Sequence, residues 1–210
     1  MSSILCIFPQ DKTTSFLEPV YNEIVERCGA VGLKGDPTED DDYLDKLSSL
    51  VKNAGIIVFL GHGSSKVLYG INFNMLICGE NGNVDLLRQK QLIIFSCHSR
   101  DFIKRHNLKC AIGFGEIPTS DYDTENGKLH NLPIKDLSDS DVEYIRAAIV
   151  RIWKNSLTES SITDYIHFHQ SFSYYTVNEI VQCLKKKESR NFRLVADVLY
   201  YLKMDMNFVE

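Results

Sequence analysis

Proline and glycine are scarce, five and twelve among 210 residues, which excludes a collagen-like rod or a Pro-rich linker. No period of twenty to forty residues recurs, so a solenoid is excluded as well. Positive charge is also short: 23 Lys and Arg face 28 Asp and Glu, for a formal net charge of −5. A nucleic-acid binder needs a basic surface to neutralise phosphates, so no direct nucleic-acid partner is expected. The one basic cluster, Lys185, Lys186 and Lys187, reads as the solvated end of a helix. Long apolar runs are missing too. Ile56–Leu60 is among the longest, far from the ~20 residues that span a bilayer, and Ser2, Ser3 and Ile4 lack the basic stretch that opens a secretory leader. A cytoplasmic protein without membrane contact is expected. Six cysteines (Cys6, Cys28, Cys78, Cys97, Cys110, Cys183) show no CxxC spacing and read mostly as reduced core thiols.

What the chain does have is 44% apolar residues, enough to build one domain over residues 1–210. Short β-branched and aromatic runs alternate with helical patterns through the first two thirds, the signature of a mainly parallel sheet covered by helices. Strands are predicted at Ile4–Phe8, Ile56–Leu60, Leu92–Ser96 and Ala111–Phe114, with short ones at Lys66–Gly70 and Asn74–Cys78. The sheet core is placed at about 1–134 and a helical part at about 135–210. Thr13, Thr14 and Ser15 read as caps of a first helix, with Pro19 in its first turn. Asp40, Asp41 and Asp42 open a second. In the helical part, Ser140 with Glu143 and Thr176 with Glu179 have capping-box spacing, and Val195, Val198, Leu199 and Leu202 mark a last helix.

Reacting groups of open parallel sheets gather where strands end at their carboxyl edge. Ile56–Leu60 runs into Gly61-His62-Gly63, and Leu92–Phe95 into Ser96-Cys97-His98. If these strands are neighbours, His62 and Cys97 lie side by side. A free thiol is mostly protonated at neutral pH, and an adjacent imidazole makes its thiolate available. Attack on a carbonyl then creates an oxyanion that needs backbone donors. Gly63 admits a substrate close to its N–H, and the Cys97 N–H is the second donor. A strand-end cysteine is commonly an apolar filler and a loop histidine commonly incidental, so the weight lies on their conjunction. Gly61-x-Gly63 alone is too weak for nucleotide binding.

The pair of motifs, Ile56–Leu60 followed by Gly61-His62-Gly63 and Leu92–Phe95 followed by Ser96-Cys97, resembles the caspase-like clan of cysteine peptidases, most closely its CHAT branch. The resemblance covers about Ile4 to Ile134. It implies a three-layer αβα sandwich, which with the mainly parallel central sheet and helical C-terminal third read from the pattern gives an α/β fold. It also implies endopeptidase activity on a protein or peptide substrate, with His62 as general base and acid, Cys97 as nucleophile, Gly63 as oxyanion donor, and no metal or organic cofactor. Many bacterial relatives act in defence or cell-death systems with a sensor protein, so a separate activating partner is part of the expectation. His98 departs from the pattern directly after the nucleophile, and no substrate-recognition repeat is fused.

Substrate-binding candidates come from loops at the same edge. Asp11 leads, and Glu116, Asp121 and Asp123 follow, since an acid there would favour a basic substrate side chain. His167 and His169 flank Phe168 but have no third ligand at metal spacing, and Asp121-Tyr122-Asp123 lacks a calcium-loop glycine, so no metal is assigned. From a different class, the same fold can serve as a non-catalytic module binding a ligand or partner through the loops around Asp11, His62 and Asp121.

Overall fold

The structure, a computed structural model, describes residues 3–35, 42–80, 82–119 and 129–210. It divides into two units, Met1–Gly115 with Asn207–Glu210, and Glu116–Met206. The sheet-bearing unit thus ends at Gly115, earlier than the sequence pattern suggests, and takes back a short segment beyond the helices.

In this first unit a six-stranded sheet is built from β1 (Ile4–Phe8), β2 (Val31–Lys34), β3 (Ile56–Leu60), β6 (Gln91–Phe95), β7 (Ala111–Gly113) and β8 (Asn207–Val209). Their order is β2-β1-β3-β6-β7-β8. All pairs are parallel except β7 with β8. Every residue of β1 and β3 is buried, because a parallel strand covered on both faces has no polar side to offer. β2 and β8, at the two edges, were not foreseen. β2 buries only Leu33, so it carries no apolar run.

Among the described residues this unit holds the helices α1 (Glu18–Cys28), α2 (Tyr43–Asn53) and α3 (Ser99–Arg105). Pro19 sits in the first turn of α1 and Gly29 ends it in the left-handed conformation that a residue with a Cβ disfavours. The expected caps are not used, for neither α1 nor the 3₁₀ turn before it has a side-chain cap. α2 packs Tyr43, Leu47 and Val51 on one stripe. Asp42 precedes it without a side-chain cap bond, and Asp40 and Asp41 lie outside the described residues. A small antiparallel hairpin of β4 (Val67–Tyr69) and β5 (Met75–Cys78) leaves the main sheet between β3 and β6.

The second unit is helical: α4 (Asp139–Glu159), α5 (Tyr165–Lys186) and α6 (Phe192–Met204). Trp153 of α4 packs on Phe168 and Phe172 of α5, ring centroids 5.1 and 5.7 Å away. That cluster accounts for the aromatic segment around His167 and His169. Burial, helped by Lys203, lowers the His169 pKa. No group of three metal-binding side chains occurs among the described residues.

Both predicted capping boxes are displaced. Thr176 lies inside α5, where its hydroxyl donates to the Phe172 carbonyl at 2.7 Å, a backbone bond that a helix interior readily supplies. The cap of α4 is Ser138 rather than Ser140, with Asp141 at the reciprocal position, while Glu143 pairs with Arg146. Asp141 is fully buried. It accepts from the Ser138 amide and hydroxyl at 2.8 and 2.6 Å, from Asn191 at 2.8 Å, and from the Ser189 hydroxyl. Burial opposes the charge, but these donors outweigh it and hold the carboxyl at about 2, below its ordinary 3.8.

A carboxyl depressed by folding contributes stability that is complete above the unfolded value and is lost as pH falls through the folded one. Asp141→Asn is therefore expected to destabilise the protein by roughly 2 kcal/mol at pH 7. The gap between variant and wild type should narrow steadily below pH ~4. Urea titrations of both proteins at pH 7, 4 and 3 measure this, and a gap that does not change with pH would remove the ionic explanation.

Candidate active site

The strand order reverses at β1. The chain moves outward to β2 on one side and inward through β3 and β6 on the other. The crevice beyond the carboxyl ends of strands at such a point is where open sheets hold ligands. The residues leaving β1, β3 and β6 there are Asp11 and Thr13, His62 and Gly63, and Cys97.

β3 and β6 are hydrogen-bonded neighbours, with Leu60 opposite Phe95 as the last pair. The Gly61 amide continues the ladder to the Phe95 carbonyl at 3.2 Å. Two residues further along each chain come His62 and Cys97, on strands ~4.8 Å apart by sheet geometry. The loops then touch. A Cβ built on Gly63 would stand 2.3 Å from Ser96 Oγ and 2.9 Å from Ser96 Cβ, closer than real side chains come, and 3.1 Å from the Cys97 carbonyl oxygen, a tight contact. Only glycine fits this approach.

Gly63 also faces Leu68 in an isolated bridge. The flanking bonds run from Ser64 N to Val67 O at 2.8 Å and from Tyr69 N to His62 O at 3.0 Å. In an antiparallel pair, residues between such bonds direct their own N–H and C=O away from the partner strand. The Gly63 N–H thus faces away from β4 and donates to nothing among the described residues.

Cys97 sits half-buried on a braced turn. His98 follows it in the left-handed region, φ 55, and enters α3. The His98 amide donates to Gly115 at 2.8 Å, so that N–H serves the backbone. Buried Ser99 donates to the Ile94 carbonyl at 2.6 Å and accepts from the Phe114 amide at 2.8 Å, tying the exit of β6 to the segment after β7. A non-glycine residue at positive φ is disfavoured and persists only where its surroundings fix it.

His62 is oriented by the loop after β1. Its Nε2 lies 2.7 Å from Thr13 Oγ1 and 3.4 Å from Asp11 Oδ1. The Thr13 hydroxyl donates its single proton to Asp11 Oδ1 at 2.7 Å, and the Thr13 amide adds a bond to the same oxygen at 2.9 Å. With its proton committed, the hydroxyl can only accept from the ring. The neutral imidazole therefore carries its proton on Nε2, and its Nδ1 lone pair is the basic one. Burial works against charge on Asp11, but the Thr13 bonds and His62 prevail and hold its carboxyl below the ordinary carboxylate value.

Asp11, expected to bind substrate, is engaged by Thr13 and His62. Thr13, expected to cap a helix, carries the link between them. Glu116 lies half-buried just inside the second unit, and Asp121 and Asp123 lie outside the described residues. Two further residues went unforeseen. Phe73, from the β4–β5 hairpin, lays its ring 5.0 Å from that of His62, and Ser99 anchors the turn that holds Cys97. Burial pushes up the thiols of Cys6, Cys28 and Cys183. No family model matches the chain, and no curated protein or solved structure matches it either.

Proposed function

We propose that this chain is a cysteine endopeptidase of the caspase-like, CHAT-related type, built as a three-layer αβα sandwich and working through Cys97 and His62. The observation that carries the reading is the His62 hydrogen-bond pattern. One ring nitrogen is tied to Thr13 and Asp11, which leaves the other basic on a loop whose neighbour, Gly63, abuts Cys97.

In the first step His62 Nδ1 takes the thiol proton and Cys97 Sγ attacks the scissile carbonyl carbon. The oxygen becomes an oxyanion that accepts from the Gly63 N–H and, in the reading taken from the motif, from the Cys97 N–H. The C–N bond then breaks as His62 returns its proton to the leaving amine, giving a thioester. Water, deprotonated by His62, attacks the thioester, and Sγ departs with the proton that His62 returns. Asp11 and Thr13 keep Nε2 protonated and stabilise the imidazolium formed in both halves. No metal or organic cofactor has a part in these steps. A cytoplasmic setting and a separate partner that supplies or exposes the protein substrate belong to the same proposal.

A peptide-based electrophile tests it. Labelling is expected at Cys97, mapped by mass spectrometry because exposed Cys110 is a competing thiol. The rate should fall by about two orders of magnitude in His62→Ala, the scale of a lost general base. Labelling that ignores His62, or that lands on another cysteine, favours a non-catalytic module using these loops to bind a partner.

A further inference from the structure

Beside the imidazole stands an exposed aromatic side chain from the tip of the β4–β5 hairpin. Phe73 is 60% exposed, as is much of neighbouring Met75 at 57%. Its backbone is held in the left-handed region at φ 58, directly after Asn72 at φ 53. Two consecutive residues with Cβ atoms in this region are disfavoured, and the Gly70–Asn74 and Asn74–Ile71 backbone bonds of 2.8 and 3.1 Å close the tip around them. The result projects the Phe73 ring across His62, 5.0 Å between centroids, with Tyr69 edge-on at 5.6 Å.

We propose that Phe73, backed by Tyr69, forms the subsite for the residue that follows the scissile bond and selects a large apolar side chain there. The inference rests on the peptidase reading. Its direction follows from proton transfer. His62 must hand its proton to the leaving amine, so that nitrogen lies within hydrogen-bond reach of the ring. The side chain nearest an aromatic surface on this ring is then the one attached to the leaving amine. An exposed ring beside a half-buried base gains by covering an apolar group, and offers nothing to a strongly hydrated one.

The probes are iodoacetamide and a set of fumaramides whose amide bears a benzyl, an isobutyl or a carbamoylmethyl group. Thiolate addition to the alkene forms an S–C bond, breaks the π bond and moves the His62 proton to the adjacent carbon. Wild type is expected to react with the benzyl and isobutyl probes about tenfold faster than with the carbamoylmethyl probe. In Phe73→Ala this preference should shrink to about twofold, while Phe73→Leu keeps it for isobutyl. Iodoacetamide, which needs the thiolate but no subsite, should alkylate Cys97 of all three proteins at similar rates.

The assignment is overturned if wild type shows no preference, if the preference survives in Phe73→Ala, or if iodoacetamide slows as much as the fumaramides. The last result would mean that the ring only holds His62 in place. Alkylation of Cys97 by iodoacetamide that is unaffected by His62→Ala is a separate result, and it removes the peptidase reading itself.

Discussion

Replacing Gly63 by Ala is expected to slow turnover of an activated ester by about 10²–10³-fold, the scale of a lost oxyanion donor. The added methyl would overlap Ser96 Oγ at 2.3 Å and Ser96 Cβ at 2.9 Å and press on the Cys97 carbonyl. In the proposed mechanism neither loop can yield without moving a reacting group, because one carries His62 and the other Cys97. Overpacking of this kind also destabilises by about 1–3 kcal/mol. The cause can be separated from general damage. Ser96 Oγ is buried without a hydrogen-bond partner among the described residues, so trimming Ser96 removes the obstacle and little else. Gly63→Ala combined with Ser96→Gly should regain most of the lost stability and part of the turnover. A Gly63→Ala protein with wild-type ester kinetics would show that the close approach of the two loops is unimportant for catalysis.

Asp11→Ala is expected to lower ester turnover by 10²–10⁴-fold in the proposed mechanism, since a base held in the wrong tautomer costs about 10⁴ in comparable triads. Ala has no acceptor where the carboxylate oxygen accepted two bonds from Thr13. The Thr13 hydroxyl is then released to donate to His62 Nε2, which drives the ring proton to Nδ1 and removes the lone pair that the thiol needs. Nitrogen NMR of labelled His62 reads this exchange directly, and folding alone does not mimic it. The pH dependence has a fixed sign as well. Folding lowers the Asp11 carboxyl from its ordinary 3.8, so the orienting bond is complete above that value and is lost only as pH falls through the lower folded one. An Asp11→Ala protein with unchanged rate and unchanged His62 tautomer would leave the acid without an orienting role.

The central strands were legible because β1, β3 and β6 are short, apolar and buried, with Gly55 and Gly61 bracketing β3. The sequence placed His62 beside Cys97 on the condition that their strands are neighbours, which β3 and β6 are; the close approach of Gly63 to Ser96 and Cys97 was not legible. The edges were not legible. Val31 and Lys34 of β2 are exposed, and no residue of β8 is fully buried, so neither strand shows a hydrophobic period. Capping motifs misled for a related reason: Thr176 bonds backward within α5 as easily as it would cap a helix, and Ser138 competes with Ser140 two residues away. At the site, the residue types pointed to acid, base and nucleophile, but the partner of each carboxylate depends on tertiary placement. Asp11 and Thr13 are two residues apart in a turn, and no local pattern says that the turn faces a histidine fifty positions on.

The antiparallel closure of the sheet by β8 bears on how the protein comes into being. During synthesis β7 emerges from the ribosome with an open outer margin, and its neighbour follows only after the whole helical unit has been made. Bridging so much chain adds little to the thermodynamic penalty, which grows only with the logarithm of loop length, but it delays the pairing. In the interval the nascent chain offers an unpaired strand edge to any other extended polypeptide, a period in which chaperone occupancy matters more than final stability.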